Sequence, residues 1–136
     1  MITKEYVKFF LELNQNNNKE WFHANKKTYE IQVKKPFLNL LESLIPKVES
    51  LDPNISMSPK DALFRINKDI RFSKDKSPYN TLMKAGFSPG GKRSTLPGFY
   101  LGIGAKTVHA GGGLFNVDTT QLKKIRTAIS NHTDEF

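Results

Sequence analysis

The sequence predicts an α+β fold: a helical N-terminal half packed on a small, mostly antiparallel sheet, with a further helix near the C-terminus. Three observations carry this prediction. Up to residue 51, apolar residues recur every three or four positions. From residue 55 onward, short alternating runs are broken by glycine and proline. At Asp118 the helical spacing returns behind a capping-box pattern, with Gln121 three residues on. The 136 residues are the length of one domain. Its expected parts are helical 1–51, sheet and loops 55–117, and helix 118–131.

Thr3 is placed to cap a first helix over 4–13, in which Tyr6, Phe9, Phe10 and Leu13 cover one stripe. Asn14 to Asn18 breaks it, because asparagine competes for backbone hydrogen bonds and tolerates left-handed backbone. Asn18 is also a good N-cap for a second helix, which begins near Lys19. Phe22, Tyr29, Val33, Phe37, Leu41, Leu44 and Val48 hold one face of that helix. Pro36 predicts a kink or break just before it, since proline removes a backbone donor and crowds the preceding turn. Asp52-Pro53-Asn54 ends the helical half.

Beyond residue 54, Phe64, Ile66, Ile70 and Phe72 alternate with Arg65, Asn67, Asp69 and Arg71. Period two predicts an extended segment with one apolar face. Lys68 breaks the alternation and marks a bulge or a strand end. Residues 73–78 read as a polar loop. Residues 81–87 and 99–103 read as strands separated by a Gly/Pro-rich loop. Residues 106–110 are expected to pair with the second strand through a turn at Gly104-Ala105. Leu122, Ile125 and Ile129 form the stripe of the last helix. His132 to Phe136 reads as the start of another element, so the sequence is expected to stop short of a longer chain.

Hydrophobic residues make up 38% of the chain and ten are Phe, enough for a core without disulfides or metal. Cysteine is absent, which excludes disulfide scaffolds, thiolate catalysis and cysteine zinc sites. The N-terminus lacks a basic stretch followed by an apolar run, so no signal peptide is expected. No stretch approaches the roughly 20 apolar residues of a membrane span. The expectation is a cytoplasmic protein without a membrane partner. Lys and Arg total 21 against 13 Asp and Glu, a net charge of +8. That excess favours anionic partners: nucleic acid, phosphorylated metabolites or an acidic surface.

The candidate functional centre is Arg65–Tyr79. It holds cations at 65, 68, 71, 74 and 76 and carboxylates at 69 and 75. On an extended strand, Arg65, Asp69 and Arg71 would project from one face. A carboxylate between two guanidiniums is held ionised, and it fixes the guanidiniums as forks that can grip a phosphate or carboxylate. The alternative is a solvated charged face with a loop stapled by Asp75.

Asn16–Phe22, Asn25-Lys26 with Tyr29, and Pro36-Phe37 form a first set of recognisable segments. Phe64-Arg65-Ile66 and Asp69 through Tyr79 form a tighter one. Pro97–Tyr100, Gly111–Leu114 and Leu122–Arg126 continue it in order along the chain. Together they resemble a widespread, mainly bacterial family, the domain of unknown function 2461 family. The resemblance implies an intracellular protein of unestablished activity and supplies no catalytic residues. It also implies that this chain is the N-terminal part of a longer member. Lys68 stands where the family more usually has Arg, and Asn80 where Lys is common, which weakens the case for any indispensable cation there.

Other signals are weaker. Trp21, among Lys19, Lys26 and Lys27, fits the core or a subunit contact; base stacking is its alternative. Gly111–Gly113 fits a tight turn or bulge, with an anion-binding nest as its alternative. It is neither a Walker loop nor a dinucleotide fingerprint. His109 fits a hydrogen-bonded structural residue, with acid–base chemistry as its alternative. His23 and His132 show no ligand spacing, and no zinc site is expected. Gly90-Gly91-Lys92-Arg93-Ser94 reads as a flexible basic loop that touches phosphates or is merely solvated.

The sequence therefore supports three readings. The first is binding of a phosphorylated or other anionic ligand, nucleic acid included, by Arg65, Arg71, Lys74 and Lys76, with Asp69 orienting the arginines. The second is an enzyme acting on such a ligand. Asp69 or Asp75 would be its base or metal ligand, and Lys76 or Tyr79 its proton donor or charge stabiliser. The third is a structural or interaction domain whose motif locks the loop onto the sheet. No cofactor is indicated.

Overall fold

The computed structural model describes residues 1–114 and 117–135. Helix α1 (Lys4–Gln15) buries Tyr6, Phe9, Phe10 and Leu13, the stripe its spacing dictates. Thr3 occupies the N-cap position without a side-chain capping bond. The asparagine cluster then divides its work. The Asn16 side chain donates to the Glu12 carbonyl at 2.9 Å, closing α1. Asn18 caps α2 (Lys19–Ala24) by accepting from the Trp21 backbone N–H at 2.8 Å. Asn17 reaches across the molecule: its amide donates to the Tyr79 carbonyl at 2.9 Å and accepts from the Tyr79 N–H at 3.1 Å.

The second helical stretch is segmented. A short α3 (Lys26–Thr28) runs into a π-helical stretch (Tyr29–Lys34), and α4 (Lys35–Leu51) follows. Pro36 therefore sits in the first turn of α4, where a missing N–H costs little. The wide turns fall just before it, at the place where a kink or break is expected. The apolar face is kept as far as Leu41, with Tyr29, Val33, Phe37 and Leu41 buried; beyond it Ile45 is buried, while Leu44 and Val48 are half-buried. α4 continues through Pro46. A four-residue helix α5 (Pro59–Ala62), closed by a Ser58–Asp61 capping box, leads to the sheet.

The sheet has order β1-β2-β3 and is antiparallel throughout: β1 (Leu82–Phe87), β2 (Gly98–Gly104) and β3 (Val108–Gly113). The β2–β3 turn falls where expected, with the Gly104 N–H donating to the Thr107 carbonyl at 2.9 Å. Met83, Ala85, Phe87 and Ile103 turn into the core. The Tyr6 hydroxyl donates to the Ile103 carbonyl at 2.8 Å and so ties α1 to β2. Phe9, Phe22 and Tyr29 form an aromatic cluster, and Trp21, half-buried, lies 5.4 Å from Phe9.

Helix α6 (Thr119–Asn131) carries both halves of the expected capping box between Asp118 and Gln121. None of its residues is buried, so the Leu122/Ile125/Ile129 stripe stays largely open. A 3₁₀ turn (Thr133–Glu135) follows. Phe136, assigned by the sequence to a further element, lies outside the described residues.

Two local expectations change. Residues 64–72 do not form a strand. Pairing is confined to single bridges, Leu63 with Ala85 and Asn67 with Tyr79, and the chain turns at Arg71-Phe72. Ile66 is buried, but Phe72 is 94% exposed. The reason is local: the Asp69 carboxylate accepts the Arg71 backbone N–H at 3.3 Å and offers the chain a turn in place of a ladder. Gly111–Gly113 also proves to be strand rather than turn. A Cβ on Gly111 would lie 2.7 Å from the Tyr100 ring, and one on Gly112 3.2 Å from Phe99, so close ring approach explains these two; Gly113 has open space around it and keeps the positive φ, 148°, expected of the triplet.

Candidate functional site

The segment 63–80 doubles back on itself and is anchored at both ends. The Phe64 N–H donates to the Lys84 carbonyl at 2.9 Å, the Lys68 N–H to Pro78 at 2.8 Å, and the Asn80 N–H to Ile66 at 2.8 Å. Tyr79 is buried and stacks on Phe22, with ring centroids 4.1 Å apart. Together with the Asn17 clamp, these contacts hold the base of the segment and leave its tip in solvent.

The tip is closed by its own charges. Arg71 grips Asp69 with two parallel bonds, Nε to Oδ1 at 2.9 Å and Nη2 to Oδ2 at 2.7 Å. These bonds hold the Asp69 carboxyl at about 2, below its ordinary range. Asp75 accepts from the Ser77 hydroxyl and, at 2.9 Å, from the Ser77 N–H; Lys68 Nζ lies 3.1 Å away. Its carboxyl is likewise held at about 2, first by Ser77 and then by Lys68. Lys76 Nζ donates to the Ile70 carbonyl at 2.7 Å. Lys74, Asp75 and Lys76 are exposed, and Tyr79 points into the core.

Arg65 makes no direct bond into this network, although its charge helps to lower the Asp69 carboxyl. Its side chain is exposed and has no hydrogen bond or ion-pair partner among the described residues. It forms part of the shared wall of two clefts. One, about 840 Å³, runs toward the helices and is lined by Lys19, His23, Lys26, Glu30, Lys34, Tyr79 and Lys92, among others. The other, about 530 Å³, opens toward the sheet and is lined by Lys68, Asp69, Arg71, Asn80 and Lys84. Phe64, Arg65, Asn67 and Arg93 line both. Cations outnumber carboxylates in each, with Glu30 and Asp69 the only acids. Glu30 is itself paired with Lys34 at 3.5 Å.

The structure thus brings Arg65, Asp69 and Arg71 together around one cleft, by an irregular chain path rather than a strand. Lys74, Asp75 and Lys76 line neither cleft. It adds cations from elsewhere: Lys84 from β1, and Lys92 and Arg93 from the Gly-rich loop. Lys92 Nζ donates to the Leu63 carbonyl at 2.7 Å, and both Lys92 and Arg93 lie over the Phe64 ring, at 5.5 and 5.7 Å. The basic dipeptide in a glycine loop was the one sequence signal for this half of the site. His109 is exposed on β3, and its side chain makes no hydrogen bond among the described residues. Among the described residues, no three His, Asp or Glu side chains cluster as a metal site requires, and no helix is long and apolar enough to cross a membrane.

A protein-family model described as "Conserved hypothetical protein (DUF2461)" matches residues 5–136. Among curated proteins and among solved structures, nothing matches the chain.

Proposed function

We propose, from the premise that the chain belongs to the DUF2461 family of conserved hypothetical proteins, that it binds a phosphorylated or other anionic ligand in the twin cleft around Arg65. The observation that carries this reading is the unpaired guanidinium of Arg65 in the wall common to two cation-lined clefts. A guanidinium without a carboxylate partner keeps its full donor fork for a ligand. Arg93 and Lys84, which also form no ion pair among the described residues, line the same cleft. Arg71 contributes charge, but its fork is spent on Asp69.

The same geometry argues against Asp69 or Asp75 as a general base. A carboxylate held ionised down to about pH 2 is a weak proton acceptor, because an effective base titrates near the working pH. Both carboxylates are engaged by partners within the loop, which favours a loop-stapling role for this half of the motif.

The test is calorimetric titration with tripolyphosphate. Binding carried by charge predicts affinity that weakens several-fold between ~50 mM and ~200 mM salt, because added ions screen the exposed cations of the cleft. Arg65→Ala should weaken it by about tenfold more. Affinity indifferent to salt and to Arg65→Ala would remove the proposal.

A further inference from the structure

The helical half presents a second face beside its apolar stripe. Lys19, His23, Lys26, Glu30 and Lys34 follow one another at steps of four, three, four and four, the spacing of one side of a helix. All five line the helix-side cleft. Lys19, His23 and Lys26 are exposed, and neither lysine forms an ion pair among the described residues. Glu30 is the one carboxylate of the stripe, and Lys34 takes it at 3.5 Å. The N-terminal part of the stripe is therefore a wall of unpaired positive charge.

The same cavity has a second set of cations from another part of the fold. Arg65 comes from the doubled-back segment and Arg93 from the Gly-rich loop. Both are exposed and form no ion pair among the described residues. Lys92 joins them, but its Nζ already donates to the Leu63 carbonyl at 2.7 Å. The stacked rings of Phe22 and Tyr79 line the cavity from the core side. The cleft holds about 840 Å³, room for a whole small molecule rather than for one ion. One inorganic anion engages one set of cations and leaves the other unmatched.

We infer that the ligand of this cleft is a small molecule carrying two or more phosphates, one gripped by Arg65 and Arg93 and another by Lys19 and Lys26. This rests on the reading of the Arg65 cleft as an anion site and adds the class of ligand. The division follows from the side chains. A guanidinium fork binds a phosphate bidentately, whereas a lysine acts as a point charge. His23 stands between Lys19 and Lys26 in the stripe and adds a ring N–H. The Phe22 and Tyr79 rings give the carbon framework between the phosphates an apolar floor. A nucleic acid strand is tracked along an extended groove, whereas these cations gather round a single cavity.

The experiment titrates the protein calorimetrically with glucose 6-phosphate, fructose 1,6-bisphosphate, tripolyphosphate and a ten-nucleotide single-stranded DNA. A second charged grip predicts that the bisphosphate binds about tenfold more tightly than the monophosphate. Lys26→Ala and, separately, Lys19→Ala should remove most of that advantage and leave the monophosphate within about twofold. Arg65→Ala should weaken both sugar phosphates. Thermal unfolding of each variant establishes that it is folded. No advantage of the bisphosphate, or an advantage that survives both lysine variants, would overturn this inference; tripolyphosphate that still binds through Arg65 would leave the anion cleft standing. A DNA strand bound far more tightly than the bisphosphate would overturn the inference in favour of a nucleic acid. Absence of binding by every probe would overturn both.

Discussion

Asn17 offers the sharpest test of how the helical half holds the candidate site. Its side-chain amide spends both ends on the backbone of Tyr79, at 2.9 Å and 3.1 Å, in a partly buried setting. Asn17→Ala removes both bonds and leaves a backbone donor and acceptor short of partners. A net hydrogen bond contributes about 1 kcal/mol, and a stranded buried partner costs more. The expected loss is therefore about 2 kcal/mol. With an unfolding entropy of about 2.1 cal/mol/K per residue, that corresponds to a fall of about 7 °C in Tm. Asn17→Asp keeps the acceptor for the Tyr79 N–H but sets a carboxylate oxygen against the Tyr79 carbonyl oxygen, so near neutral pH it should cost at least as much as Asn17→Ala. Urea titration followed by Trp21 fluorescence measures both, because Trp21 packs against Phe9 beside the clamp. The midpoint should fall with the slope unchanged. A loss below about 0.5 kcal/mol for Asn17→Ala, the range of ordinary surface changes, would refute the reasoning. It would mean that the Phe22 stack and the backbone bonds flanking Tyr79 hold it without the clamp.

Other predictions follow from the same contacts. Asp69 has a depressed folded-state pKa, so whatever stability it contributes is present above its ordinary range near 4 and is lost as pH falls through about 2. Carboxyl NMR titration should place its midpoint near 2 and, in Arg71→Ala, move it toward about 4; an unmoved midpoint would deny the clamp. Gly98→Ala should destabilise by roughly 3 kcal/mol, because its Cβ would fall 2.3 Å from the Phe87 carbonyl oxygen. Gly112→Ala, facing a ring at 3.2 Å, should be milder, and denaturant melts that ranked the two the other way would contradict the sheet packing. Lys74→Ala and Lys76→Ala should leave tripolyphosphate affinity within about twofold, since single surface charges outside a site contribute little; a loss as large as that of Arg65→Ala would relocate the ligand to the loop tip.

The parts of the fold legible in the sequence are those where one signal acts locally. The α1 stripe, the Asn18 cap, the break before Pro36, the β2–β3 turn and the Asp118 capping box each follow from spacing or from one residue's chemistry. The alternation over 64–72 misled because period two speaks to side-chain direction, not to a partner strand. Once Asp69 captures the Arg71 N–H, the ladder stops. The site was half legible for the same reason. Arg65, Asp69 and Arg71 are close in sequence and converge on one cleft, whereas Lys84 and Arg93 arrive through the tertiary fold. Nothing in the sequence separated the cations spent inside the loop, such as Lys68 and Lys76, from the unpaired Arg65; only their partners distinguish them.

Backbone amide chemical-shift mapping during a tripolyphosphate titration tests the central claim most directly. The account predicts that the shifted resonances cluster at Arg65, Asn67, Lys84 and Arg93, the walls of the twin cleft, and spare Lys74 through Ser77. Shifts confined to that loop tip, or to Lys123 and Arg126 of α6, would contradict it.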